Sequence, residues 1–381
     1  MRVGILGAGQ LGRMLALAGY PLGIDCIFLG GGKDSPAGQV SRILEGGLDD
    51  NALLDALAGQ SDVVTFEFEN VPVESLKRAA AGAPVHPSVD ALAAGQDRLE
   101  EKRLLRSAGI PTAPYVAVSE AADLRRAEAE LGWPQVLKAR RMGYDGKSQR
   151  IVHSTAELAA AWSELNQVQS IAEGWVRFDR ELSLIGVRGT VGQTAFYPLS
   201  ENVHTEGILN TTVAPYEDPH LQLPAEAWLK TLMDRFDYRG VLTVEFFHTE
   251  AGLVANEIAP RVHNSGHWTI EGAETSQFEN HLRGVLGLPL GSTATRGHAA
   301  MLNLIGQMPD PTAVLAIPGA HLHDYGKAPR PGRKLGHCTV LRATRHEADS
   351  ALETLRAAAG HLGHLDTSMA ENEELGRRLT E

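Results

Sequence analysis

The chain has 381 residues, 43% of them hydrophobic, and its 47 Asp and Glu against 35 Lys and Arg give a net charge of −12. This length predicts two or three domains, since it exceeds what one hydrophobic core usually serves. The acidic balance argues against nucleic-acid binding as the main task, and the lack of an apolar run of about 18 residues argues against a membrane-spanning helix.

Two cysteines, Cys26 and Cys338, lie in apolar segments and are expected to be buried thiols. Because Gln10 and Arg13 interrupt the N-terminal apolar segment, it is more typical of a strand and a helix than of a secretory signal. The sequence therefore predicts a cytoplasmic protein.

Residues 1 to about 95 alternate short apolar runs with helical patterns. This alternation predicts a parallel, doubly wound sheet and a first domain over residues 1–95. The predicted strands are Arg2–Leu6, Cys26–Leu29, Val63–Phe68 and Val85–His86, and the predicted helices are Gln10–Ala18, Asn51–Ala58 and Val73–Ala80.

The stretch "GILGAGQLGRM" fits the dinucleotide fingerprint G-x-G-x-x-G through Gly7, Gly9 and Gly12. Such a corner can bring amides and a helix N-terminus to a phosphate. A dinucleotide site also needs an acidic residue at the end of the next strand, but that strand runs into glycines 30–32. A NAD-linked oxidoreductase is therefore disfavoured, while another anion site or a purely structural corner stays open.

From residue 134 onward the pattern becomes rich in strands, which predicts antiparallel sheet. Residues 137–149 read as a hairpin with a glycine-containing turn. Further strands are predicted at 170–176, 181–187, 194–199, 241–247 and 253–258, and a last segment from about 295 adds three strands and the helix Glu347–Ala359.

The segment "VLTVEFFHTEAGLVANEIAP" predicts two strands around the loop 250–252, with Thr249 opposite Leu253. Stepping back four residues on each side places Glu245 directly opposite Glu257. Like charges that face each other across a ladder destabilise it. Because both strands are strongly apolar, a divalent cation shared by these carboxylates is favoured over two side chains that face solvent.

Other segments carry groups suited to anions. Lys138 precedes the turn 143–149, whose amides and Lys147 can approach a phosphate. The motif "RVHNSGHW" follows the predicted metal strand and suits a small oxyanion through Arg261, His263 and Asn264. His263 is equally typical of a buried core histidine. The loop 325–337 is either an exposed basic turn or a phosphate-binding loop, and its basic residues are Lys327, Arg330, Arg333 and Lys334.

The motifs "GAGQLGRM", "TFEFENVP", "GYDGK", "RELSLI", "ENVHTEGIL", "NEIAPRVHNSGHW" and "RPGRKLGH" run nearly end to end along the chain. On these motifs the chain resembles the N5-carboxyaminoimidazole ribonucleotide synthetases, which are ATP-grasp ligases of purine biosynthesis. The resemblance implies an α/β ATP-grasp fold in three parts and a homodimer. After the N-terminal domain would come an ATP-grasp domain over 96–290, with a small lid at about 117–170, and an α+β domain over 291–381 with antiparallel sheet.

The resemblance also implies a reaction that uses ATP and Mg²⁺. ATP phosphorylates bicarbonate to carboxyphosphate, and the amine of 5-aminoimidazole ribonucleotide captures the CO₂ unit, releasing ADP and phosphate. Phosphoryl transfer needs positioning and charge neutralisation rather than a covalent nucleophile, and the sequence has no G-x-S-x-G motif. Because carboxyphosphate is short-lived in water, a lid that excludes solvent is expected.

Individual roles follow from the same resemblance. Contacts with ATP are implied for Arg98, Lys138, Gly143, Tyr144, Asp145, Gly146, Lys147, Ser148, Gln149, His204, Asn256 and Glu257. The adenine hinge would be Glu173, Gly174, Trp175 and Val176, with Glu181 on the ribose. Mg²⁺ would bind Glu245 and Glu257, and bicarbonate would bind Arg261, His263 and Asn264. The ribonucleotide substrate would contact Gln10, Leu11, Glu69, Tyr144 and Asp145, with its phosphate held by Lys327, Arg333 and Lys334.

Met142 and Ser148 stand where the family usually has glycine, which predicts a change in loop stiffness rather than lost function. Three alternatives remain: another ATP-grasp ligase of purine metabolism, such as formate-dependent glycinamide ribonucleotide transformylase, a NAD-linked oxidoreductase, and a non-catalytic nucleotide-binding module. The motifs "RVHNSGHW" and "RPGRKLGH" disfavour the first, the missing acidic residue disfavours the second, and the pair Glu245 and Glu257 disfavours the third.

Overall fold

The structure of the chain is a computed structural model that describes residues 1–143 and 149–360. Within these ranges the strands form a four-stranded parallel sheet, a four-stranded antiparallel sheet and a nine-stranded antiparallel sheet. The predicted α/β architecture, in which a doubly wound parallel sheet is followed by antiparallel sheets, is therefore confirmed.

The parallel sheet occupies the N-terminal part of the chain. Its elements, with the two helices that follow, are β1 (Arg2–Leu6), α1 (Gln10–Gly19), β2 (Asp25–Leu29), β3 (Arg42–Leu44), α2 (Asn51–Ala58), β4 (Val63–Phe66), α3 (Val73–Ala79), α4 (Val89–Gly95) and α5 (Arg98–Ser107). The strand order is β3-β2-β1-β4. Val3 and Ile5 enter one core cluster and Leu6 enters another, so both faces of the sheet are covered.

Some details of this part differ from the prediction. Val85 makes an isolated bridge with Val64 rather than a strand, and the residues just before the predicted boundary at residue 95 fold into α4. Ser88 caps that helix, since its hydroxyl accepts a hydrogen bond from the Ala91 amide. Strand β3, which the apolar pattern does not indicate, has three residues and lies at the edge of the sheet.

A small antiparallel sheet follows, with two helices packed on it. Its elements are β5 (Tyr115–Val118), α6 (Ala121–Leu131), β6 (Gln135–Ala139), β7 (Gln149–Val152), α7 (Thr155–Glu164) and β8 (Ser170–Gly174). The order β5-β8-β6-β7 pairs β6 with β7, which confirms the predicted hairpin. At its tip, Met142 has a φ of 59°, a left-handed conformation that glycine adopts more readily.

The largest sheet runs through the rest of the described chain. Its strands and helices are β9 (Arg180–Arg188), β10 (Thr194–Phe196), β11 (Ser200–Thr205), β12 (Ile208–Ala214), α8 (Pro219–Arg235), β13 (Gly240–Thr249), β14 (Gly252–Ala259), α9 (Thr269–Gly272), α10 (Gln277–Leu286), β15 (His298–Ile305), α11 (Pro311–Leu315), β16 (Ala320–Asp324), β17 (Lys334–Arg342) and α12 (Arg345–Ala358). The order is β14-β13-β9-β11-β12-β15-β17-β16, with β10 beside β9. The pairing of β12 with β15 joins strands from both sides of residue 290 in one ladder.

The apolar pattern gives no sign of β11 and β12, because these central strands carry buried polar side chains. Asn202 accepts a hydrogen bond from the Thr212 hydroxyl at 2.9 Å and donates one to the Ser183 hydroxyl at 3.0 Å. A buried polar group that has its partners costs little. These strands can therefore lie inside the sheet without an apolar sequence.

Among the described residues no helix is both long and apolar enough to cross a membrane.

Cys26 and Cys338 are free and buried, as predicted. Burial raises the pKa of each thiol to about 12. Neither side chain is therefore a thiolate nucleophile at neutral pH.

His281 of α10 ties the N-terminal sheet to the large sheet. Its Nδ1 accepts a hydrogen bond from the Val241 amide at 3.2 Å, and its Nε2 lies 3.0 Å from the Thr65 hydroxyl. Burial, together with the charge of the nearby His86, lowers the pKa of His281 to about 3. The ring is therefore neutral in the folded chain at pH values where an unfolded histidine takes up a proton.

We expect the folded chain to lose stability as the pH falls below 6.5, because the unfolded state binds a proton at His281 that the folded state does not bind. Well below pH 6.5 this one group contributes a slope of about 1.4 kcal/mol per pH unit, and between about pH 7 and about pH 5.5 it contributes about 1.3 kcal/mol in total. Urea unfolding at about pH 7 and about pH 5.5 measures the slope. His281→Asn, which keeps an acceptor for Val241, should flatten it, and the exposed His346→Asn should not. An unchanged slope in His281→Asn would contradict this assignment.

Candidate active site

A cavity of about 680 Å³ is lined by residues from all three sheets and their flanking segments. The predicted site residues that line it are Gln10, Leu11, Glu69, Arg98, Lys138, Gly143, Gln149, Glu173, Gly174, Trp175, Val176, Glu181, His204, Glu245, Asn256, Glu257, Arg261, His263, Asn264 and Lys334. Side chains that are far apart in sequence thus share one space.

The other predicted site residues are placed differently. Lys327 is outside the lining, but its Nζ lies 2.5 Å from Oε1 of the lining residue Gln10. Arg333 lies in an exposed loop and donates to the Ala328 carbonyl at 3.1 Å. The remaining predicted residues, which lie outside the described ranges, are Tyr144, Asp145, Gly146, Lys147 and Ser148.

Glu245 and Glu257 face each other across β13 and β14, as predicted, but the register arises differently. The turn has two residues rather than three, so that Thr249 pairs with Gly252. A regular ladder from that turn would place Asn256 opposite Glu245. A bulge shifts the register by one residue and returns Glu257 to this position.

The two carboxylates have different partners. Oε2 of Glu257 forms an ion pair with Arg98 at 3.0 Å, whereas Oε1 of Glu245 lies 3.2 Å from Nε2 of His263. Burial, and then the charge of Glu257, raise the pKa of Glu245 to about 7. Burial acts the same way on Glu257, but the positive charges of Arg98 and Lys138 outweigh it and lower the pKa of Glu257. Nearby cations therefore compensate the charge of Glu257 more fully than the charge of Glu245.

A buried charge cluster links β6, β8 and α5. Oε2 of Glu173 lies 3.0 Å from Nζ of Lys138 and 3.5 Å from Nζ of Lys102. Although burial opposes the charge, the two lysines lower the pKa of Glu173 to about 2. Lys102 also donates to the Asn256 carbonyl at 2.7 Å. The other carboxylate oxygen of Glu173 is buried with no hydrogen-bond partner among the described residues, so it can accept from a ligand.

Glu181 and His204 form a second pair on the cavity wall. Nδ1 of His204 lies 2.5 Å from Oε2 of Glu181. Burial opposes a charge on the ring, but the Glu181 carboxylate outweighs it and raises the pKa of His204 to about 9. Nearby, the rings of Phe178 and Phe247 stack with centroids 4.6 Å apart. The cavity thus has an apolar aromatic end beside an ion pair, which suits a flat heterocycle joined to a polar group.

His263 is fixed in one tautomer. Its Nδ1 accepts a hydrogen bond from the Ser265 amide at 3.3 Å, so the ring proton lies on Nε2, the nitrogen that faces Glu245. Burial lowers the pKa of His263 well below 6.5, which keeps the ring neutral. Next to it, Asn264 and Asn303 exchange two amide hydrogen bonds of 3.0 and 2.8 Å.

Arg261 brings a guanidinium into the same region. Its NH2 group pairs with Oε1 of Glu69 at 2.9 Å. Its Nε is buried and has no hydrogen-bond partner among the residues that the structure describes. Because a buried donor without an acceptor is costly, this N–H group is suited to a bound anion.

The glycine corner of residues 7–12 presents its amides to the chain itself. The Gly9 and Gly12 amides both donate to the carboxylate of Glu67, at 2.7 Å for Gly12. Of the two possibilities that the sequence leaves open, another anion site and a purely structural corner, the contacts favour a corner whose anion is a side chain of the same chain. The anion at these two amides is Glu67.

Some residues of the site are absent from the sequence prediction, among them Glu67, Lys102 and Phe178. Lys102 resembles a surface lysine of a charged helix, yet it lies three residues from both Leu99 and Leu105, the spacing of a buried helix face. This spacing is the one feature of the sequence that indicates a buried Lys102. Nothing in the sequence indicates that Glu67 reaches the glycine corner or that Phe178 stacks in the cavity.

Family models match most of the chain. The ribonucleotide synthetase preATP-grasp domain matches residues 1–96, the ATP-grasp domain matches residues 103–278, and the phosphoribosylaminoimidazole carboxylase C-terminal domain matches residues 299–351. The chain is also 48% identical over 357 residues to the N5-carboxyaminoimidazole ribonucleotide synthase of Pseudomonas aeruginosa, across 94% of this chain and 99% of that protein.

Solved structures are similar over nearly the whole chain. N5-carboxyaminoimidazole ribonucleotide synthetase from Thermus thermophilus has a TM-score of 0.90 at 50% identity, covering 93% of this chain and 98% of that one. The N5-carboxyaminoimidazole synthase from Aspergillus clavatus, in complex with ADP and 5-aminoimidazole ribonucleotide, has a TM-score of 0.88 at 34% identity, covering 95% of this chain and 99% of that one.

We expect the opposed carboxylates to affect the stability of the ligand-free chain in opposite directions. Glu245→Gln removes a charge that faces a neutral imidazole and another carboxylate, so it should raise the melting temperature. Glu257→Gln breaks the ion pair with Arg98 and should lower the melting temperature. Thermal unfolding in the presence of EDTA measures both variants. Shifts of the same sign would contradict the charge balance described above.

Proposed function

The chain belongs to the N5-carboxyaminoimidazole ribonucleotide synthase family, and from that premise we propose how its residues divide the work of the reaction. It is an ATP-dependent ligase of the ATP-grasp type. It carboxylates 5-aminoimidazole ribonucleotide with bicarbonate, through carboxyphosphate, and releases ADP and phosphate. The formate-dependent and NAD-linked alternatives are not favoured by these relatives.

Three kinds of group line one cavity, and this observation supports the proposed assignment of the three ligands. The aromatic end and the lysine cluster suit a nucleotide, and the opposed carboxylates suit a divalent cation. The Nε–H group of Arg261, which has no hydrogen-bond partner among the described residues, suits a small anion. Phosphoryl transfer from ATP to bicarbonate needs these three ligands side by side.

ATP is assigned to the end of the cavity nearest β8. The adenine would lie along the hinge 173–176, where the unpartnered oxygen of Glu173 can accept from an amino group. Lys138 and Arg98 would neutralise phosphate charge, and Glu181 with His204 would face the ribose. Further contacts are proposed for Gly143, Tyr144, Asp145, Gly146, Lys147, Ser148, Gln149 and Asn256.

Mg²⁺ is assigned to Glu245 and Glu257. Both offer oxygen ligands, and Oδ1 of Asn256, the unpaired residue of the bulge in β14, is buried without a hydrogen-bond partner among the described residues. No group of three or more His, Cys, Asp or Glu side chains suited to a metal occurs in the described part of the chain. Two carboxylates fit an ion that usually completes its shell with water and substrate phosphates. When bound, the ion would neutralise charge on the transferred phosphate.

Bicarbonate is assigned to Arg261, His263 and Asn264. The Nε–H of Arg261 can donate to one oxygen of the anion, while its fixed positive charge opposes the repulsion between bicarbonate and ATP. Neutral His263 carries its proton on Nε2, so it can donate at that atom and cannot take up a proton there. These residues would orient the anion and exclude water rather than act as nucleophiles.

The ribonucleotide substrate is assigned to the side of the cavity formed by Gln10, Leu11 and Glu69. Further contacts with this substrate are proposed for Tyr144 and Asp145. Its phosphate would be held by the loop before β17 and by the first residue of that strand, through the basic residues Lys327, Arg333 and Lys334. The division into domains 1–95, 96–290 and 291–381, the lid at about 117–170, the homodimer and the cytoplasmic location belong to the same proposal.

The reaction is tested by measuring ADP release with ATP, Mg²⁺, bicarbonate and 5-aminoimidazole ribonucleotide, leaving out each component in turn. We expect ADP formation to rise strongly only when all four are present. Glycinamide ribonucleotide with formate should not substitute. Equal turnover with formate would contradict the substrate assignment.

Arg333→Ala should raise the KM for 5-aminoimidazole ribonucleotide by about tenfold or more, because a charge-assisted contact to the phosphate is lost. The KM for ATP should change by less than about twofold, since the loop is assigned to the other substrate. Arg330→Ala, in the same exposed loop, is the matched control. A rise in the KM for ATP instead would place this loop at the nucleotide.

A further inference from the structure

The glycine corner between β1 and α1 is built around Glu67. The Gly9 and Gly12 amides donate to its two oxygens, as the amides of a dinucleotide site donate to a phosphate. A Cβ atom at Gly7 would come within 2.5 Å of Cγ of Glu67, and one at Gly9 within 2.7 Å of Oε1. The close approach of this carboxylate therefore accounts for glycine at both positions.

Gln10 lies between the two donating amides and begins α1. Its Oε1 is 2.5 Å from Nζ of Lys327, which is 317 residues away in sequence. Nζ of Lys327 also lies 3.3 Å from the Lys334 carbonyl. The conformation of the glycine corner thus determines where Gln10 meets the basic loop.

We propose that Glu67 is a positioning residue for the ribonucleotide substrate. By fixing the two amides of the corner it fixes Gln10, and through Gln10 it sets the ammonium group of Lys327 for the substrate phosphate. Glu67 also occupies the anion position at the start of α1, so the phosphate is directed to the basic loop. This inference rests on the proposed role of Lys327 in phosphate binding.

The surroundings of Glu67 agree with this role. The residue is 5% exposed. Burial raises its pKa, while the two amides and the positive charges of Lys327 and Arg261 oppose that effect. The carboxylate thus interacts electrostatically with two cations from other segments of the chain. Glutamine has nearly the same shape, but it would offer one oxygen to two amide donors and place an NH₂ group against one of them.

The first test is Glu67→Gln with both Michaelis constants measured. We expect the KM for 5-aminoimidazole ribonucleotide to rise by about tenfold or more and the KM for ATP to stay within about twofold. Glu74→Gln, on the exposed face of α3, is the matched control and should change neither constant. Equal rises in both constants, or no rise in either, would overturn the inference.

Two further measurements separate positioning from a general structural effect. Since Glu67 and Gln10 act through the same lysine, the double variant Glu67→Gln with Gln10→Ala should raise the KM by less than the product of the single effects. Glu67→Ala leaves two amides without their carboxylate, so added acetate should lower the KM for the ribonucleotide toward that of the unchanged chain. Multiplicative effects, or no response to acetate in a folded Glu67→Ala variant, would contradict the proposal.

Lys327→Ala distinguishes this inference from the function on which it rests. If Lys327→Ala raises the KM for the ribonucleotide and Glu67→Gln does not, the inference is wrong and the assignment of the loop stands. If Lys327→Ala leaves that KM unchanged, the assignment of Lys327 is wrong and the inference is overturned with it.

Discussion

Glu245 and Glu257 face each other in a mostly buried part of the sheet, and the folded chain has to balance their charge with groups from other elements. Helix α5 supplies much of that balance. Its Arg98 pairs with Glu257 at 3.0 Å, and its Lys102 joins the Glu173 carboxylate to the Asn256 carbonyl. Because a buried charge is tolerated only with close partners, the position of α5 against β14 is a condition for the site.

The same helix is also held at its N-terminus, by an ion pair, and by a further contact with β14. Asp97, which caps α5, forms an ion pair with Arg140 at 2.7 Å, just after β6. Glu101, one turn further on, accepts a hydrogen bond from the Ile258 amide at 2.6 Å. The nucleotide end and the carboxylate end of the cavity are therefore connected through one short helix. A change in the tilt of α5 would disturb both ends together.

Much of the fold and part of the site can be predicted from the sequence, for different reasons. Strands β1, β2 and β4 of the parallel sheet can be predicted because they are apolar, whereas the short edge strand β3 cannot. Strands β11 and β12 cannot be predicted in this way either, because they carry buried polar pairs such as Asn202 with Thr212. The facing of Glu245 and Glu257 is correctly predicted, although the two-residue turn and the bulge both depart from the assumed hairpin. These two departures cancel, and nothing in the local sequence predicts that they do.

The glycine corner shows the opposite case. Its spacing correctly indicates amides that need an anion close by, but the anion comes from Glu67, far away in sequence. The spacing of the glycines indicates the local backbone conformation, but it does not indicate which side chain the tertiary structure places against that backbone. Lys102 is similar, since its charge suggests the surface and its contacts lie in the interior.

The ladder between β12 and β15 has a consequence for engineering chimeric ligases. A graft that replaced everything after residue 290 with the corresponding part of another enzyme would have to reproduce the pairing of Thr211 with Leu302 and of Ala214 with Ala299. A poor match would leave β12 as an open strand edge in the middle of the molecule, and such edges recruit other chains. The unit that can be exchanged between relatives is therefore larger than the segment that touches the substrate, because it must carry its half of the sheet with it.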